Sequence, residues 1–163
     1  MRSSLFLYSS GGATFSEVLV AMALTMIGLI GAIGAFETAG ETIGRGMLAT
    51  RALALAESRL EAKRSVRWEQ LLMDDLDHDG VSEILMHDDG TGADRIAGDG
   101  IYSAEWEQNG LRLNWTVAPS RPGDLPGSGF ALLEARAWYE SSGRSHEVRL
   151  VTLRANPAFT GSR

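Results

Sequence analysis

Residues 18–36 read VLVAMALTMIGLIGAIGAF, nineteen positions without a charge. As an α-helix rising about 1.5 Å per residue, that run nearly matches the roughly 30 Å hydrocarbon core of a bilayer. The residue just before it is Glu17. A carboxylate at the edge of lipid is costly, which makes Glu17 a candidate functional residue. A cleaved secretory signal has a different order, with positive residues directly before a shorter apolar core and the cut after it. Here the first twelve residues carry only Arg2 as a charge and end in Gly11-Gly12, ahead of the apolar run. The stretch therefore predicts a membrane-spanning helix that stays in the chain.

Helical character continues outward from it. Ala49, Leu53, Ala56 and Leu60 recur at spacings of four, three and four, while Arg51, Glu57, Ser58, Arg59 and Glu61 fall on other faces. A helix from Thr14 to Val66 would be roughly 80 Å long, far more than a bilayer needs, so its amphipathic second half has to pack on something else. Gly28, Gly31, Gly34, Gly40, Gly44 and Gly46 are frequent for a helix interior. Each costs about 1 kcal/mol relative to alanine. Two readings of them stand side by side: they permit close packing or local melting, or they reflect the commonness of glycine in membrane helices.

Beyond residue 66 the pattern changes to a period of two. Tyr102, Ala104 and Trp106 alternate with polar residues, as do Leu111, Leu113, Trp115 and Val117, and Asn109-Gly110 between the two runs is a strong hairpin signal. A second pair of strands is expected at about Phe130–Glu140 and His146–Arg154, joined across Ser141-Ser142-Gly143-Arg144. The proline- and glycine-rich segment 119–129 reads as an exposed loop. The expected fold class is α+β: one long N-terminal helix, membrane-spanning in its first half, packed on an antiparallel sheet of about four strands.

Gly12-Ala13-Thr14-Phe15-Ser16-Glu17-Val18 and the apolar run after it resemble the prepilin processing site of type IV pilins and type II secretion pseudopilins. The family pattern is Gly, usually Phe or Met, Thr, Leu, any residue, Glu, then an apolar helix; Ala13 and Phe15 replace the commonest residues at their positions. The resemblance implies a leader at residues 1–12, a filament-core helix at 13–37, its amphipathic continuation at 38–66 and an exported head at 67–163. It implies that a prepilin peptidase cuts between Gly12 and Ala13 and methylates Ala13, and that Glu17 becomes the fifth mature residue. A cut after Gly11 would put the carboxylate one place too far. The head would lie in the periplasm or outside the cell, with the helix in the inner membrane before assembly with other pilins or pseudopilins. The closing strand pair resembles that of PilV-type minor pilins. Independently of the family, a lone carboxylate beside an apolar helix calls for a cation, and the amine freed at Ala13 of a neighbouring subunit would supply one and set the axial register. The competing account is a solvated carboxylate favoured by the dipole at a helix N-terminus.

The remaining constellation is acidic. Asp75-Leu-Asp77-His-Asp79-Gly80-Val81-Ser-Glu83 places carboxylates at the first, third, fifth and ninth positions of a calcium loop, with Gly80 at the sharp turn and the Val81 carbonyl as a further oxygen. The twelfth position is Met86, so a bidentate ligand would have to come from Asp88 or Asp89. A second run, from Asp88 through Asp94 to Asp99-Gly100, resembles calcium-dependent loops of extracellular modules. The bland account of both is solvated acidic turns.

Composition bounds the rest. Twenty-one acidic against fifteen basic residues argue against nucleic acid as a partner, and the absence of cysteine removes disulfides and thiolate chemistry. His78, His87 and His146 lack metal-ligand spacing, and no nucleophile elbow, phosphate loop or dinucleotide fingerprint is present, so no enzyme is expected. The alternative to a filament subunit is an uncleaved signal-anchor protein whose exported head binds calcium or another ligand.

Overall fold

The computed structural model describes residues 12–76 and 79–159. The chain divides between Gly44 and Arg45 into two compact units. A single helix, α1 (Phe15–Ser65), supplies the first unit and the start of the second. The second continues with a 3-10 turn at Trp68–Gln70 and six strands: β1 (Met73–Asp74), β2 (Ile84–Leu85), β3 (Tyr102–Gln108), β4 (Leu111–Pro119), β5 (Phe130–Ser141) and β6 (Arg144–Ala155). The fold is α+β.

In the first unit the helix runs unbroken through all of its glycines. Among the described residues its large apolar side chains are left exposed: Leu24, Ile27, Ile30 and Phe36 are each more than 60% exposed. The helix carries no charge from residue 18 to residue 36 and is long and apolar enough to cross a membrane. The hydroxyls of Thr25, Thr38 and Thr42 donate to the carbonyls four residues earlier, of Ala21, Gly34 and Thr38, at 2.8–2.9 Å. A Cβ added at Gly28, Gly31, Gly34 or Gly40 would meet nothing within 4 Å, so no contact among the described residues requires those glycines.

In the second unit β3-β4-β5-β6 form an antiparallel meander. Both tight connections are two-residue turns with positive φ at both positions, Asn109 (53°) with Gly110 (74°) and Ser142 (53°) with Gly143 (68°). Such turns match the right-handed twist of paired strands and lock their register. Alternation then sends Leu113, Trp115 and Val117 of β4 and Ala131, Leu133, Ala135 and Ala137 of β5 into the core. Trp115 is paired with alanine on both sides, Ala104 and Ala135. The helix contributes Ala52, Ala56 and Leu60 to the same cluster. Small residues around one large ring give the close packing that a thin α/β core needs.

The buried helix face differs from the expected one. Ala56 and Leu60 are buried, whereas Leu53 is 38% exposed and Ala52 takes its place. Arg59 and Lys63 share that face and are buried too. Their positive ends obscured the stripe in the sequence, although their alkyl stems lie along apolar surface. The small β1–β2 hairpin was likewise not expected, because two-residue strands leave no period to read. Segment 119–129 is neither helix nor strand after Pro119 ends β4, but it is pinned rather than freely exposed. Leu125 and Ser128 are buried, and the Leu125 carbonyl accepts from Trp68 Nε1 at 3.0 Å. Against this segment Gly100 has φ +80°, and a Cβ there would lie 2.5 Å from Pro122 and the Gly123 backbone, so only glycine fits.

Candidate functional site

Three groups of residues carry chemistry, and each begins with a local rule. At the N-terminus of α1, Gly12 and Ala13 are exposed and outside the helix. Thr14 and Glu17 form a reciprocal cap. The Glu17 amide donates to Thr14 Oγ1 at 3.3 Å, and Glu17 Oε2 accepts from the Thr14 amide at 2.7 Å and from its hydroxyl at 3.0 Å. This is the capping box written by a threonine followed three residues later by a glutamate. The pattern was readable in the sequence and passed unnoticed beside the processing motif. It gives Glu17 a task within its own chain, besides any pairing with a neighbour. The proposed leader, residues 1–11 in particular, lies outside the described residues.

Of the nine residues expected to hold calcium, six form two clusters. Asp75, Asp79 and Glu83 bring carboxylate oxygens within 4.8 Å of one another, and so do Asp88, Asp94 and Asp99. The first cluster sits in the connection between β1 and β2. There Gly80 adopts φ 91°, and its amide donates to Asp75 Oδ2 at 2.8 Å. Glu83 Oε2 accepts from the Leu76 amide at 2.6 Å, and Asp79 Oδ1 from the Val81 amide at 2.7 Å. Asp77 and His78 lie outside the described residues. Met86, at the loop's twelfth position, is a core residue, 3% exposed.

The second cluster lies in the loop before β3. Asp88 accepts from the amides of Gly98, Asp99 and Gly100, and Asp94 from those of Gly90 and Ile96. Asp88 thus belongs here and not to the first loop. Asp89 is in neither group; the Thr91 hydroxyl and amide bond to it and hold its carboxyl below the usual range. Three convergent carboxylates repel one another unless a cation or several donors lie between them. Backbone amides supply part of that compensation. Oxygen ligation of a hard cation is chemically compatible with both loops.

The third group was missed in the sequence. Asp74 of β1 is buried and lies 3.0 Å from Arg59 Nη1 and 2.7 Å from Lys63 Nζ. Trp115 Nε1 donates at 2.8 Å to Asp74 Oδ2, the oxygen that Lys63 also approaches, and the Arg59 guanidinium lies 4.8 Å from the Trp115 ring centre. Lys63 also donates to the carbonyls of Leu71 (2.6 Å) and Met73 (3.1 Å). Burial outweighs the attraction of Asp74 and pushes the Lys63 ammonium down to about 8. Nearby, Arg154 of β6 donates to the carbonyls of Lys63 and Val66, satisfying the helix C-terminus. The visible signal for this cluster was two cations four residues apart on the face that also carries Ala56 and Leu60. This arrangement ties helix to sheet.

On the outer face of the sheet, Glu134 pairs with Arg136 and with Arg149 (2.7 Å). Burial would raise its carboxyl, but the hydrogen bonds from Arg149 and Arg136 prevail and hold it low. Of the histidines, His146 stacks on Tyr139 at 5.2 Å between ring centres, and His87 pairs with Ser103 through its backbone.

No protein-family model, curated protein or solved structure matches this chain.

Lys63 is the only lysine in the chain, which makes its titration separable. Between about 8 and the usual 10.5 the folded chain holds fewer protons at this site than the unfolded chain. The cost of burying the charge is therefore present in full below the lower value and is relieved as pH rises through that window. The stability of the wild type relative to Lys63→Met should rise by about 2 kcal/mol from about pH 7 to about pH 10. Urea unfolding of the two detergent-solubilised proteins at both pH values checks this.

Proposed function

We propose that the chain is a minor pilin-like or pseudopilin-like subunit, cut by a prepilin peptidase between Gly12 and Ala13 and assembled through α1 into a type IV pilus or type II secretion filament. The observation that carries this reading is one continuous helix that starts two residues beyond the proposed cut, is uncharged from residue 18 to residue 36 and in its second unit belongs to an antiparallel-sheet head. Exposed Gly12 and Ala13 suit the approach of a peptidase. An uncharged apolar helix suits first lipid and then a bundle of like helices, where its exposed small residues would allow close approach. The mechanism is assembly: the carboxylate of Glu17 draws the N-terminal amine of a neighbouring subunit while the helix passes from lipid into the filament. The head lies on the far side of the inner membrane, in the periplasm or outside the cell. On this reading the protein is not an enzyme.

One observation favours the second reading, an uncleaved signal anchor. The capping box accounts for Glu17 without any neighbour. Two substitutions separate the tasks, because glutamine also serves at this capping position but carries no charge. The filament reading expects Glu17→Gln to insert stably in the membrane yet to be missing from sheared filaments and from cross-links to other subunits, as Glu17→Ala would be. Normal assembly of Glu17→Gln beside failure of Glu17→Ala would reduce the residue to a helix cap.

The acidic loops are proposed to hold calcium in a structural role, bracing a head that contains no disulfide. Support comes from the two sets of three convergent carboxylates and from their all-oxygen chemistry. Calcium at about one hundred times its dissociation constant should then add roughly 2.7 kcal/mol per site to the stability of the intact protein. Thermal unfolding with calcium against chelator reads this, and Asp99→Ala should remove one share of the gain. Identical melting curves with calcium and with chelator would exclude the metal.

A further inference from the structure

The four-stranded sheet ends on β3 at one side and on β6 at the other. β6 is 12 residues long, pairs with β5 over its whole length without a bulge and contains neither lysine nor proline. Those are the usual protections of an edge, and among the described residues no strand covers its free side. The other edge is half covered: the amide and carbonyl of Ser103 bond to the backbone of His87. In an antiparallel ladder alternate residues direct their backbone groups the same way, so those of Glu105 and Glu107 also face the open side of β3. No backbone group among the described residues takes them. Just past β6 the Asn156 amide donates to the Gly129 carbonyl, beside β5. By the same alternation the backbone groups of Arg149 and Val151 face the open edge.

The two edges complement each other in charge. β3 carries Glu105 and Glu107, both exposed, and no basic residue. β6 carries Arg144, Arg149 and Arg154 against Glu147 alone, in a chain whose net charge is -6. Arg154 is turned to the helix carbonyls, but Arg149 stays 55% exposed beside Glu134. Glu105, Asn114, Arg136 and Arg149 form one row across the sheet, so both edges present these side chains on the same face. Antiparallel pairing of β6 with β3 of another copy, with Glu107 opposite Arg149, sets Glu105 opposite Val151 and Trp106 opposite Leu150. Trp106 and Leu150 both pack against the core already. A shift of two residues one way sets Glu107 against Glu147, and the other way leaves both glutamates facing Val151 and Leu153; a shift of one would set outer side chains against inner ones. Direction agrees as well. Because the four strands alternate, β3 of a copy in the same orientation runs antiparallel to β6 of the first. Repetition keeps every head facing one way, as subunits side by side in one membrane require, and the contact is of the head-to-tail kind that extends without closing.

We propose that the free edge of β6 in one copy pairs antiparallel with the 104–108 stretch of β3 in a second copy, Glu107 facing Arg149, so that the heads join edge to edge in one continued sheet. The proposal does not depend on how the N-terminus is processed. The chain has no cysteine, so thiol cross-linking of the full chain in membranes tests it, with Glu105→Cys and Val151→Cys introduced singly and together. The two edges of one sheet stand three strand spacings apart, about 14 Å, so a bismaleimide linker of about half that length joins only separate copies. The double variant should give a ladder of dimers and higher oligomers on a denaturing gel, and each single variant no more than a trace of dimer. Adding Glu107→Gln, which keeps the shape and removes the charge, should lower the ladder's yield about twofold. Absence of a ladder from the double variant would overturn the proposal. So would a yield unchanged by Glu107→Gln, or dimers from Val151→Cys alone as abundant as those of the double variant, which would mean that β6 pairs symmetrically with β6.

Discussion

Asp74 is the carboxylate on which the head depends. It lies in a strand of two residues, yet Arg59 and Lys63 of the helix and Trp115 of the central sheet all converge on it. Buried charges of this kind contribute little net attraction once desolvation is counted, but breaking such a pair costs about 3–5 kcal/mol, because a charge is left without compensation. The cluster therefore fixes where the helix and the sheet meet more than it adds stability. Around it the packing is set by size: Ala52 and Ala56 on the helix and Ala104 and Ala135 beside Trp115 leave room for one large ring. Arg154 completes the arrangement from β6 by taking the last carbonyls of the helix. A domain without cysteine thus obtains its fixed geometry from ionic and aromatic contacts.

The first half of the helix follows the opposite rule. From residue 18 to residue 36 it carries no charge, its threonine hydroxyls are turned back on its own carbonyls, and its large apolar side chains are left exposed by the described residues. Such a segment suits lipid or other helices, and on the proposed reading it meets both in succession. The capping box at Thr14 and Glu17 then matters twice, since the same carboxylate that starts the helix would also have to receive a neighbour's amine. A carboxylate has four lone-pair sites, and the cap occupies Oε2.

Much of this was legible beforehand. Nineteen uncharged residues after Glu17 announced the helix, Asn109-Gly110 and Ser142-Gly143 announced both tight hairpins, and alternation at 111–117 gave the buried face of β4. What the sequence concealed was tertiary. Arg59 read as part of a polar face and Lys63 went unread, because the burial of both depends on Asp74, fifteen and eleven residues further along the chain. The division of the acidic residues into two clusters depends on the turns at Gly80 and Gly100, which bring distant carboxylates together. The outer face of the sheet depends on strand register, which places Ser103 beside Thr116 and Asn114 beside Arg136. Periodicity shows which face a residue occupies, whereas neighbours across strands appear only once the register is set.

The central claim concerns processing, and the most direct measurement is the intact mass and N-terminal sequence of the membrane-extracted protein, expressed with and without a prepilin peptidase. A chain that begins at N-methylated Ala13, formed only when the peptidase is present, is the predicted result. A chain that keeps residues 1–12 under both conditions would contradict it and leave the helix as a permanent anchor.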